Sequence, residues 1–135
     1  MAYRINHIHL KAPDPERTAN WYVRAFNFRI ASDMVRPAPF GDRFIRCLSE
    51  DGGMAVNVSA ALTGQTLSPG DAGPHHGLEH FGLDSADLDA DIARLQSLSA
   101  ELLDGPLEAG RGVRFAFLTA PDDVRIKLIE QPRTS

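Results

Sequence analysis

Residues 7–14 read HIHLKAPD, and residues 80–87 read HFGLDSAD. His, Leu and Asp recur in the same places, each displaced by 73 positions. In a chain of 135 residues, a repeat at that distance implies two units of one plan. Each copy opens as a strand. In RINHIHLK (4–11), Ile8 and Leu10 fall on one face and His7, His9 and Lys11 on the other, the period of two of a β-strand. Each copy then turns into a helix. Asp14 is placed to cap one with Pro15 in its first position, and Ala19, Tyr22, Val23 and Phe26 give it an apolar stripe. DLDADIARLQSLSA (87–100) repeats this with Leu88, Ile92, Leu95 and Leu98.

Three strands are predicted after each helix. They are NFRIASDMVR (27–36), DRFIRCLSE (42–50) and GMAVNVSA (53–60) in the first half, separated by PAPFGD and EDGG turns. The second half starts with LEHFGLD (78–84) and continues after its helix with ELLDGPLEA (101–109), GVRFAFLTA (112–120) and DVRIKLIEQ (123–131). The expected architecture is α+β: two tandem βαβββ modules, 1–60 and 78–135, within a single domain of residues 1–135. Their curved mixed sheets are expected to surround a cleft, with the helices outside. ALTGQTLSPGDAGPHHG (61–77) forms the connector, and His75 and His76 within it are expected to be solvent-exposed loop residues.

Composition narrows the function classes. Hydrophobic residues make up 43% of the chain and charged ones 24%, an ordinary globular balance. A net charge of −4 argues against nucleic acid or an anionic membrane as partner. No apolar run approaches the roughly 20 residues that cross a bilayer, and the N-terminus lacks a signal-peptide pattern. The lone cysteine, Cys47, sits among apolar neighbours and reads as a small buried hydrophobe in a reducing compartment. A cytoplasmic location is expected.

Alternation assigns the strand faces. The helices bury the apolar side, so the opposite side carries what can meet a ligand. That side holds His7 and His9 of the first strand, Asn57 of 53–60, His80 of 78–84 and Lys127 of 123–131. Asn57 and Lys127 hold matching places in the last strands of the halves, as His7 and His80 do in the first. Arg114, beside the Gly110–Gly112 turn, is expected to point the same way.

INHIHLKAPDPERTANWYVRAFNF, LEHFGLDSADLDADIARL and FLTAPDDVRIKLIEQP, in that order, resemble the vicinal oxygen chelate superfamily across essentially the whole chain. That family includes glyoxalase I, methylmalonyl-CoA epimerase, extradiol dioxygenases and bleomycin-resistance proteins. The resemblance implies paired βαβββ modules, a homodimer and, in the metalloenzymes, a divalent ion held by one residue from each of four strands. Carried over by position, the metal residues are His7, Asn57, His80 and Lys127, with Lys127 where the family has a glutamate. A lysine ammonium has no acceptor lone pair, and at 4 Å it repels a cation by about 4 kcal/mol per unit charge at intermediate dielectric. The expectation is therefore that the usual divalent metal is absent, with His7, His80 and Asn57 as ligands if one is retained.

The reading that follows is an enzyme of lyase or isomerase type. It would act by proton transfer next to a carbonyl or carboxylate, with His7, His80 and Lys127 catalytic and His9, Asn57 and Arg114 substrate-binding. The partner is a small anionic or carbonyl-bearing molecule. A bleomycin-resistance-type binding protein is the alternative. An extradiol-type dioxygenase is weaker, because its Fe(II) needs two histidines and a carboxylate.

Overall fold

Both copies of the repeated stretch fold as their periodicity predicts, strand into capped helix. The computed structural model describes residues 2–132. The chain divides into two compact units, Met1–Ser68 and Pro69–Ser135.

The first unit runs β1 (His7–Lys11), α1 (Pro15–Phe26), β2 (Arg29–Val35), β3 (Arg43–Leu48) and β4 (Ala55–Ser59). Its sheet has the order β1-β4-β3-β2, with β1 parallel to β4 and the other pairs antiparallel. The second unit repeats this as β5 (Phe81–Asp84), α2 (Leu88–Ser97), β6 (Leu102–Gly110), β7 (Val113–Ala120) and β8 (Val124–Glu130), in the order β5-β8-β7-β6. A 3-10 turn at Pro121–Asp123 joins β7 to β8.

The repeat extends to single hydrogen bonds. The Arg17 N–H donates to Asp14 Oδ1 at 3.2 Å, and the Ala90 N–H donates to Asp87 Oδ1 at 3.2 Å, so each helix start is capped alike. The N–H of Ala12 donates to the Ser59 carbonyl, and that of Ser85, 73 positions on, donates to the Ile129 carbonyl.

Each helix covers one face of its own sheet. Ala19, Tyr22 and Ala25 of α1 are buried, as are Ile45, Cys47, Val56 and Val58 on the strands. Leu88, Ile92 and Leu95 of α2 are buried likewise, with Ala116, Leu118, Ile126 and Leu128 of β7 and β8. Cys47 is the expected buried hydrophobe, and burial pushes its thiol up to about 11.

β5 starts late and β6 is interrupted, against the sequence reading. β5 begins at Phe81 rather than Leu78, because His75 Nε2 donates to the Leu78 carbonyl at 2.9 Å and takes that residue out of the ladder. His75 Nδ1 donates to the Gly73 carbonyl at 2.9 Å, so both ring nitrogens face acceptors. These two backbone bonds favour the imidazolium and raise the pKa of His75. β6 is broken by register shifts around Gly105. There φ is +101°, and a Cβ would lie 2.8 Å from the Phe115 carbonyl oxygen, so only glycine fits.

A buried ion pair closes the β2–β3 loop. Asp42, 1% exposed, accepts from Arg36 Nε at 2.7 Å and Nη2 at 2.6 Å, with Lys11 Nζ 3.7 Å away. The Arg36 hydrogen bonds are the main cause that lowers the Asp42 carboxyl from 3.8 to about 2. A folded value below the unfolded one means stability that is present above pH 3.8 and lost as pH falls towards about 2. Asp42→Asn is therefore expected to shrink the drop in urea midpoint between pH 4 and pH 2; an unchanged drop would show that other carboxylates govern it.

Candidate functional site

In each unit the face opposite the helix carries the polar side chains that interrupt the strands. On the first sheet the register pairs His7 with Ala55, His9 with Asn57 and Lys11 with Ser59. It continues from Asn57 to Arg46 and from Arg46 to Ser32. His9, Asn57, Arg46 and Ser32 thus form one row across all four strands.

His9 Nε2 shares a hydrogen bond of 2.7 Å with Ser59 Oγ, and its ring meets Phe44 edge-on at 5.3 Å. Burial, followed by repulsion from Lys11, His7 and Arg36 against the attraction of Asp42, lowers the His9 pKa. His7 is exposed and donates Nδ1–H to Asn6 Oδ1 at 2.8 Å, which leaves Nε2 to accept. Asn57 is 3% exposed, and its Oδ1 is buried without a hydrogen-bond partner among the described residues.

The second sheet repeats this pattern with different side chains. His80 donates Nδ1–H to Glu79 Oε1 at 3.0 Å, the bond that His7 makes to Asn6 in the first unit. The carboxylate fixes the tautomer and leaves Nε2 as the acceptor. The His80 ring lies edge-on to Phe117 at 5.0 Å. Lys127 pairs with Gly82, and Asn57 pairs with His9, 73 positions before Gly82, so the two residues hold matching places as expected.

The chain has two lysines, and their surroundings differ. Lys11 donates to the Ala60 carbonyl at 2.9 Å and faces Asp42. Lys127 is half-buried, its ammonium 4.6 Å from the Phe115 ring and 5.6 Å from Phe117, with no ion pair among the described residues. Arg125, two residues earlier on the same face, stacks on Phe117 at 4.2 Å and donates to the Ala72 carbonyl.

The structure thus brings His7, His9 and Asn57 onto one face in the first unit, and His80 and Lys127 onto one face in the second. Arg114 needs correction. It donates to both carboxylate oxygens of Asp89 on α2, at 3.2 and 3.0 Å, and lies 3.6 Å from Glu130 Oε1. It is therefore on the helix side, facing away from Lys127. Glu130 is on that side too, accepting from the Leu88 N–H at the start of α2. Glu79 and Arg46 were missed from the sequence; the signal for Arg46 was a charge between Ile45 and Cys47 in an otherwise apolar strand.

The residues present do not fit a divalent ion. In the first unit His7 and Asn57 offer an imidazole and a neutral amide oxygen; in the second, His80 shares its face with the ammonium of Lys127. The first set includes no carboxylate to offset the ion's charge, and in the second the neighbouring carboxylate, Glu79, accepts from His80 Nδ1–H and lies 3.7 Å from Arg125. Among the described residues no three His, Cys, Asp or Glu side chains could together hold a metal. Among those residues, too, no helix is long and apolar enough to cross a membrane.

Comparison with known proteins agrees on the fold. A glyoxalase family protein from Bacillus cereus superposes with a TM-score of 0.89 at 14% identity, over 98% of this chain and 97% of that one. An antibiotic-binding protein from Streptomyces, TnmS3, gives 0.67 at 20% identity, over 96% and 97%. The fosfomycin resistance protein FosX from Listeria monocytogenes, complexed with Mn(II) and sulfate, gives 0.68 at 15% identity, over 99% and 95%. No curated protein matches the chain by sequence. The model of the glyoxalase/bleomycin resistance protein/dioxygenase superfamily matches residues 4–128, and the chain belongs to that superfamily.

Proposed function

We propose that the chain is a small-molecule enzyme of lyase or isomerase type that works by proton transfer next to a carbonyl, without the metal used elsewhere in its superfamily. The observation that carries this reading is the helix-free face of the second sheet. There an oriented imidazole, His80, lies on the same aromatic floor as the ammonium of Lys127, which has no ion pair among the described residues.

The chemistry follows from those groups. His80 Nε2 takes the proton from the carbon next to the carbonyl. The electron pair moves onto the carbonyl oxygen as an enolate, whose charge the ammonium stabilises. Return of the proton at a different carbon or face completes an isomerisation; departure of a β-substituent with its electron pair completes a lyase reaction. Glu79 is a positioning residue: it holds Nδ1 protonated and Nε2 free. On the face of the first sheet, taken by itself, the cation that suits a small acid is Arg46, in one row with His9 and Asn57.

The substrate class is a small acid that also bears a carbonyl. A panel of 2-oxo acids incubated in D2O, pyruvate among them, is expected to show enzyme-dependent loss of the α-proton signal by NMR. No exchange with any member would end the catalytic reading.

A binding protein is the second reading, favoured by the Phe115–Phe117 pair, whose rings meet edge-on at 5.8 Å and offer an apolar platform. The relative described as antibiotic-binding supports it. In either reading, Met34 and Val35, exposed on edge strand β2, support the pairing of two copies.

A further inference from the structure

The row across the first sheet contains two polar groups that no described residue satisfies. Arg46 is half-buried, and its guanidinium makes no hydrogen bond or ion pair among the described residues. Two other arginines of this sheet and its loop are different: Arg36 is held by Asp42, and Arg43 by Asp33 and Glu16. Asn57, directly opposite Arg46, is buried with Oδ1 unpartnered. Directly opposed residues on antiparallel strands have Cβ atoms roughly 5 Å apart, so the guanidinium and the carboxamide can serve one ligand.

Their needs are complementary and specific. A guanidinium asks for a planar anion, with which it forms paired hydrogen bonds. A carboxamide oxygen asks for a donor, which a carboxylate cannot supply. The strand positions that flank the row on this face, Lys11, Ser59, Ala55, Leu48 and Phe44, bring no carboxylate to the guanidinium. Ser59 is committed to His9.

We propose that the Arg46–Asn57 row is a recognition site for the carboxylate and adjacent hydroxyl of a small 2-hydroxy acid. Arg46 binds the carboxylate, and Asn57 Oδ1 accepts from the hydroxyl. A buried amide left unsatisfied lowers the stability of the free protein, and the ligand's hydroxyl relieves that cost. The inference rests on the small-anion reading above but not on catalysis by the second sheet.

NMR titration of the intact chain with glycolate, acetate and glycolamide tests it. Acetate lacks the hydroxyl and glycolamide lacks the charge. Glycolate is expected to bind at least tenfold more tightly than either. Arg46→Gln should abolish the preference over glycolamide. Asn57→Leu should abolish the preference over acetate and raise the ligand-free Tm by about 4 °C, because it removes the unsatisfied amide. A merely structural asparagine would give the opposite sign, a lower Tm. Equal binding of glycolate and acetate, no binding of glycolate, or a fall in Tm for Asn57→Leu would each overturn the proposal. Glycolate binding that survives while 2-oxo acid exchange is absent would remove the catalytic reading and leave this one standing.

Discussion

Replacing His80 with glutamine is expected to lower proton-transfer turnover by about 10²- to 10⁴-fold, the range that a positioned general base contributes. Glutamine keeps similar bulk beside Phe117 and can still bond to Glu79, so floor and fold persist. It has no basic nitrogen. His80 is also partly exposed, its side chain at 31%, so the substitution leaves no large cavity. Urea midpoints should stay close to wild type while turnover falls. Glu79→Gln is expected to cost less, since it weakens the control of the tautomer without removing the base. A His80→Gln enzyme with wild-type turnover would exclude His80 as the base.

Lys127→Met is expected to reduce turnover by about 10²- to 10³-fold, comparable to the loss of one group that stabilises a developing oxyanion. Methionine keeps an apolar stem against Phe115 and Phe117 and deletes only the charge. Arg125 is a poor replacement, because it already donates to the Ala72 carbonyl and lies 3.7 Å from the Glu79 carboxylate. The loss should appear in both substrate affinity and turnover, since the ammonium meets the anion in the ground state and the enolate afterwards. Unchanged rates in the methionine variant would remove Lys127 from the mechanism.

What could be read from the sequence was whatever local periodicity controls. The 73-residue repeat, the Asp14 and Asp87 caps and the strand alternation of His7, His9, Asn57 and Lys127 all appear in the fold because each is set by near neighbours. Arg114 was misplaced because β7 is apolar on both faces. Phe115 and Phe117 lie on one side and Ala116 and Leu118 on the other, so alternation alone does not say which side the helix covers. Asp89, 25 residues earlier on α2, decides it.

Glu79 was missed because adjacent strand residues normally point apart; it turns to His80 because the ladder starts only at Phe81. Arg46 was missed for another reason. Its distinction from Arg36 and Arg43 is the absence of an acidic partner, and only the folded chain shows which arginines Asp42 and Asp33 take.

The two lysines make the central claim directly measurable. With lysine labelled by ¹³C at the ε-carbon, the chain gives two signals, from Lys11 and Lys127, which Lys127→Met assigns. On titration with pyruvate, the Lys127 signal is expected to shift saturably, while that of Lys11, engaged with Asp42 and the Ala60 carbonyl, stays in place. A Lys127 signal that does not move at saturating pyruvate, or a shift confined to Lys11, would contradict the account.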